Sequence, residues 1–186
     1  MNPIRAAVVT ISDKGYTGQR EDVSGPLLAR LLRDMGAKIV RQMIVPDERD
    51  EIVRLLVTLT DGASGEGGPE AVASSERVSE ELAVDLVVTT GGTGVTPRDV
   101  TPEATKAVVQ REMPGLAEAL RFTGYQKTPL AVISRGIAGI RGRTLIVNLP
   151  GSPNAVRDGM ETLTPILPHA VKMIRGQDTE HHETEG

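Results

Sequence analysis

Thr89-Thr90-Gly91-Gly92-Thr93-Gly94-Val95-Thr96-Pro97-Arg98-Asp99-Val100-Thr101-Pro102-Glu103 follows an apolar strand pattern, Val84 to Val88, and leads into a helix start. Between the two lie clustered glycines, several hydroxyls, one arginine and one carboxylate, which are the parts of a phosphate-handling loop. Glycine lets the backbone approach a ligand closely and adopt positive φ, so main-chain N–H groups can point at an anion. Thr101 can serve as N-cap, with Pro102 at the first helical position and Glu103 in the first turn. Two better-known strand-to-helix loops are excluded. A Walker A loop needs Gly-Lys-Ser/Thr at its end, and a dinucleotide fingerprint needs a third glycine where this chain has Pro97.

Working outward, the apolar period alternates between strand and helix. Arg5 to Ile11 is a nearly continuous apolar run bounded by Ser12-Asp13, as expected of a strand covered on both faces. The pattern predicts helices over Gly25 to Met35, Glu48 to Leu59, Pro102 to Val109 and Leu116 to Arg121, and one long last helix over Pro153 to Ile174. It predicts further strands at Lys38 to Val45, Leu130 to Ile133 and Thr144 to Leu149. Such alternation implies an α/β fold, a three-layer α/β/α sandwich with a mostly parallel central sheet, and ligands in such folds gather at strand carboxyl ends.

Length and composition set the frame. The 186 residues suit one domain, read as 1–175 with a Gly/Ser/Ala-rich surface insertion at about 61–75 and a disordered tail over 176–186. The 21 basic residues against 25 acidic ones leave a mildly acidic chain, so no nucleic-acid partner is expected and any anion site must be local. With no cysteine, thiolate catalysis and cysteine zinc sites are excluded. No apolar run approaches about 18 residues, and Met1-Asn2-Pro3 leads straight into the first strand, so a cytoplasmic, non-membrane protein is expected.

Other segments supply matching chemistry. Asp47 follows Ile44-Val45-Pro46 at a strand end; Asp47 and Asp99 can face one sheet edge, or each can simply cap a helix. Asp13 is a third acid with the same ambiguity. Ser152 can cap the last helix with Pro153 behind it, leaving N–H groups for a phosphate. Arg98, Arg135 and Arg141 are either forked phosphate donors or solvated surface charges. The three histidines all fall at His169 or later, which gives histidine triads little support.

Four motifs in order, VPDE at Val45 to Glu48, TTGGTGVTPRDVTPEAT from Thr89, REMPG at Arg111 to Gly115, and TPLAVISRGIAGIRGRTLIVNLPGSPNAV from Thr128 to Val156, give the chain its resemblance to a known family. It resembles the molybdopterin adenylyltransferases, including bacterial MogA and MoaB and the G domains of gephyrin. The resemblance implies transfer of AMP from ATP to the terminal phosphate of molybdopterin, with Mg²⁺ held by Asp47 and Asp99 as the catalytic acids. It implies a substrate-binding set of Ser12, Asp13, Thr90, Gly91, Gly92, Thr93, Gly94, Ser134, Arg135, Pro150, Gly151 and Ser152. It further implies a homotrimer and hand-over to a molybdenum-inserting molybdotransferase. Two alternatives stand beside the enzyme: a MoaB-type paralogue that binds molybdopterin with little or no turnover, and another superfamily member, although such relatives generally depart from TGGTG and RDVTPEAT.

Overall fold

The computed structural model describes residues 2–61 and 84–176. Among them, a six-stranded sheet has the order β2-β1-β3-β6-β5-β4. Its strands are β1 (Arg5–Ile11), β2 (Lys38–Val45), β3 (Leu86–Thr90), β4 (Arg111–Glu112), β5 (Ala138–Arg141) and β6 (Thr144–Leu149). The helices are α1 (Asp13–Tyr16), α2 (Ser24–Asp34), α3 (Arg49–Asp61), α4 (Thr101–Val108), α5 (Pro114–Lys127), α6 (Pro153–Leu163) and α7 (Leu167–Ile174).

The central strands β1, β3 and β6 run parallel, with Val8 opposite Val88 and Val88 opposite Val147. Their continuous apolar runs have a simple cause: successive side chains point to opposite faces, and both faces are covered. Ala6, Val8, Leu86, Val88, Leu145 and Val147 pack with Leu28 and Leu32 of α2, Met160 of α6 and Val171 of α7. Ala7, Val9, Val87 and Ile146 meet Ile52 and Leu56 of α3 and Ala104 and Val108 of α4 on the other face. Leu28, Leu32, Ile52 and Leu56 are fully buried, each worth about 1.5–3 kcal/mol of apolar transfer. The three-layer expectation therefore holds, and β2 forms a partly exposed edge with Lys38, Arg41 and Gln42 turned to water.

Local departures from the sequence reading have identifiable causes. Leu130 to Ile133 is not a strand but part of a 3₁₀ turn, Pro129–Ile133, with Leu130 71% and Val132 55% exposed. The sheet position beyond β6 is taken instead by β5, which pairs antiparallel with β6 through a turn at Gly142-Arg143 and carries the short β4 on its far side. The expected last helix breaks after Leu163 and restarts at Leu167, with Pro165 in the gap and Pro168 in the new first turn. Thr101 is already helical and Val100 is the N-cap, because the Thr101 hydroxyl donates to Gly91 O at 2.9 Å. Asp61, the first residue of the expected 61–75 insertion, closes α3 and pairs with Arg141 at 2.5 Å. The rest of that insertion, and the tail beyond Gly176, lie outside the described residues.

Candidate active site

From β1 the chain crosses to β2 on one side of the sheet and then to β3 on the other, so the carboxyl ends of β1 and β3 flank a switch point. A cleft of about 1030 Å³ opens there. Ser12, Asp47, Thr90, Gly91, Gly92, Thr93, Gly94, Asp99, Ser134, Pro150, Gly151 and Ser152 all line it, whereas Asp13 and Arg135 do not.

Three strand ends converge at its floor. Gly91 N donates to Leu149 O at 3.0 Å, and Thr90 Oγ1 donates to Pro150 O at 2.8 Å. Gly91 has φ +103°, and a Cβ there would overlap the Ile11 carbonyl oxygen. A Cβ on Gly151 would stand 3.1 Å from Gly91 Cα. These glycines thus serve first to let β1, β3 and β6 approach one another, a role that sequence reading credited to the ligand. Behind the floor, buried Asn148 donates from Nδ2 to Thr89 and Thr105, both at 3.0 Å, and accepts from Ile137 N at 3.2 Å. One side chain thereby ties β3, α4 and the loop before β5.

The acids occupy distinct settings. Asp13 N donates to Asp47 Oδ2 at 2.8 Å and Asp47 N donates to Asp13 Oδ1 at 3.0 Å, a reciprocal pair joining α1 to the end of β2. Arg98 forks onto Asp13 at 2.9–3.1 Å and reaches Glu48 at 2.9 Å, so Asp13 is occupied as a brace. Burial pushes the pKa of Asp47 above its ordinary value, helped by the charges of Asp13 and Asp99 and opposed by the Asp13 N–H and Arg98. For Asp99 burial acts in the same upward direction, but the hydroxyl and N–H of Thr96, at 2.7 and 2.8 Å, with the Gly94 N–H and Arg135, outweigh it and hold the carboxyl below its ordinary range. Asp99 therefore turns its own loop; it does not cap α4.

The arginines are largely committed elsewhere. Arg135 donates to Gly94 O and Asp99 O, both at 2.6 Å, and pairs with Glu103, which clamps the glycine loop to the first turn of α4. Arg141 lies with Asp61 and Val108 O, at the carboxyl end of α4. Donors among the described residues lining the cleft include the Ser134 and Thr93 hydroxyls, 3.4 Å apart, and the start of α6, where Ser152 Oγ accepts from Ala155 N at 3.1 Å.

Sequence reading missed Asp22, Ser24 and Arg121 on the cleft wall. Asp22 accepts from Thr10 Oγ1 at 2.7 Å and Gly25 N at 2.9 Å, and Ser24 Oγ donates to Gly151 O at 2.7 Å. The available signal was Asp22-Val23-Ser24-Gly25 at the start of α2, in the connection that follows β1 and α1.

Comparison with known proteins identifies the family. A curated molybdopterin adenylyltransferase of Helicobacter pylori strain J99 is 38% identical over 178 residues, covering 95% of this chain and 90% of its own. The molybdopterin adenylyltransferase of Escherichia coli K12 is 36% identical, covering 87% and 74%. The crystal structure of the molybdopterin biosynthesis enzyme MoaB from Thermus thermophilus superposes with a TM-score of 0.78 at 40% identity, covering 93% and 97%. The family described as "Probable molybdopterin binding domain" matches residues 7–64 and 69–169. On that match, and on these relatives, the chain belongs to the molybdopterin-binding domain family, among its MogA/MoaB-like members.

Proposed function

We propose that this chain joins the terminal phosphate of molybdopterin to the α-phosphate of ATP, giving adenylylated molybdopterin and pyrophosphate. The observation that carries the reading is the convergence of Asp47, Asp99 and the Thr90 to Gly94 loop on one cleft at the carboxyl ends of β1, β3 and β6. In this transfer a phosphate oxygen of the pterin substrate forms the new P–O bond to the α-phosphorus while the bond to pyrophosphate breaks. No protein nucleophile is required, so positioning and charge neutralisation do the catalysis. The cleft volume lies at the upper end of small-molecule sites, as two substrates demand.

The residues fit Mg²⁺. Two carboxylates within each other's field line the cleft, and Asp47 is held as a disfavoured anion that a cation would relieve; Mg²⁺ commonly takes one or two carboxylates together with substrate phosphates. Asp47 and Asp99 would hold it, and when bound it supplies neutralisation of phosphate charge. The Ser134 and Thr93 hydroxyls and the N-terminus of α6 orient phosphate oxygens, and Arg135 keeps the glycine loop in register from outside.

We place this activity in the cytoplasm, in a homotrimer that passes its product to a molybdenum-inserting molybdotransferase; no helix among the described residues is long and apolar enough to cross a membrane. Purified chain with ATP, Mg²⁺ and molybdopterin should release pyrophosphate and form an AMP adduct. Binding of molybdopterin without adduct under any divalent metal would replace the enzyme with a MoaB-type binding protein. Light scattering tests the trimer.

A further inference from the structure

A cleft for two phosphate-bearing substrates needs cations, yet this wall carries Glu21, Asp22, Asp47, Asp99 and Asp158. Among the described residues the cationic side chains lining it are Arg20 and Arg121. Arg20 is exposed. Arg121 is half-buried, on the stripe of α5 formed by Ala117, Leu120, Arg121 and Gly124, all of which line the cleft; their spacing of three and four places them on one helix face.

Its geometry is that of an anchored fork. Nη1 donates to Gly136 O at 2.9 Å and leans toward Ser134 O at 3.5 Å. That fixes the guanidinium beside Ser134, whose hydroxyl stands 3.4 Å from Thr93 Oγ1 on the glycine loop. The guanidinium has five N–H donors in a rigid plane, so the carbonyl anchor leaves most of them over. Resting on the adenylyl-transfer reading for its ligands, we infer that Arg121 is a phosphate-binding residue of the cleft, donating its remaining N–H groups to a substrate phosphate held beside Ser134 and Thr93. Arg98, Arg135 and Arg141, to which sequence reading offered this part, do not line the cleft.

The ligand chemistry is a phosphate ester or anhydride, which either substrate supplies. Isothermal titration of full chain with ATP, adenosine, molybdopterin and inorganic pyrophosphate separates the cases, in wild type, Arg121→Met and Arg121→Gln. The methionine removes charge and donors; the glutamine keeps a donor for Gly136 O and removes the charge. Both should bind at least one phosphate ligand about ten- to a hundredfold more weakly, the scale of lost hydrogen bonds to a charged group, with adenosine affinity unchanged. Loss confined to ATP assigns the nucleotide phosphates, and loss confined to molybdopterin assigns its monoester. The inference is overturned if both variants bind every phosphate ligand as wild type does, if adenosine weakens in parallel, or if Arg121→Gln alone restores affinity, since a brace on Gly136 would then be the whole role. Should Arg121→Met fail to fold, Arg121→Gln decides alone. Wild-type chain that binds neither molybdopterin nor ATP sinks the adenylyl-transfer reading, while pyrophosphate still tests Arg121.

Discussion

Gly91→Ala is the sharpest test of the cleft floor. At φ +103° an L side chain sits in a sparsely populated region, which costs about 1–3 kcal/mol. The new Cβ would also overlap the Ile11 carbonyl oxygen, a backbone atom of β1 that cannot rotate aside. Forcing the strands apart adds an overpacking cost of about 1–3 kcal/mol. A total of about 4 kcal/mol is a large part of the 5–15 kcal/mol that holds ordinary domains. It should lower Tm by about 8–16 °C for a chain of this size. Gly18→Ala is the control, because Gly18 has φ +72° and nothing within 4 Å of a Cβ; it should cost about 1 kcal/mol, or about 2–4 °C. Far-UV circular dichroism is the suitable probe, as the chain has no tryptophan. If Gly91→Ala melts no lower than Gly18→Ala, the strand ends are not packed as described, and the glycines of this loop must be explained by the ligand alone.

Asp99→Asn should cut turnover at least about a hundredfold, the scale of losing one preorganised stabilising group, with Tm nearly unchanged, because an amide oxygen can still accept from Thr96; near-normal pyrophosphate release would assign Asp99 to structure. Asp85 is half-buried, and burial raises its pKa, but Arg175 and the Arg5 N–H more than reverse this and hold it below its ordinary value. Its stabilisation is therefore complete above the unfolded value of about 3.9 and fades as pH falls through the lower folded value. Melting curves from pH 5 downward should show Tm falling, and Arg175→Met should flatten that fall. Replacing residues 62–75 by a short Gly/Ser connection and ending the chain after Arg175 should preserve cooperative unfolding, since Arg175 keeps its bonds to Asp85, Asn2 O and Pro3 O; a broad, non-cooperative transition would show that one of the removed segments packs on the core.

What was legible in the sequence followed burial. The runs at β1, β3 and β6 read as strands because both faces are covered, and Leu27, Leu28 and Leu32 marked α2 by period. Leu130 to Ile133 misled for the opposite reason: its apolar residues stand at the cleft rim rather than in the sheet. The four residues of β5 gave too short a pattern beside their glycines. Asp47 and Asp99 were placed at the cleft because one follows a strand end and the other the glycine loop. Arg121 was not, because an arginine on a helix looks the same whether it faces solvent or a cleft. Arg135 was credited with a phosphate because nothing in its neighbours shows that Gly94, Asp99 and Glu103 will fold around it.

The bond from Ser24 to Gly151 spans 127 residues, and β6, which leads into Gly151, belongs between β3 and β5. During translation the amino-terminal strands emerge long before their central neighbour does, and until then β3 has an open edge and the cleft no back wall. A chain terminated before β6 consequently lacks Leu149 to Ser152 as a cleft wall, however complete its glycine loop. The cleft is therefore complete only once β6 and Gly151 have left the ribosome, and products truncated before them expose instead an unpaired strand edge for the cell's quality control to recognise.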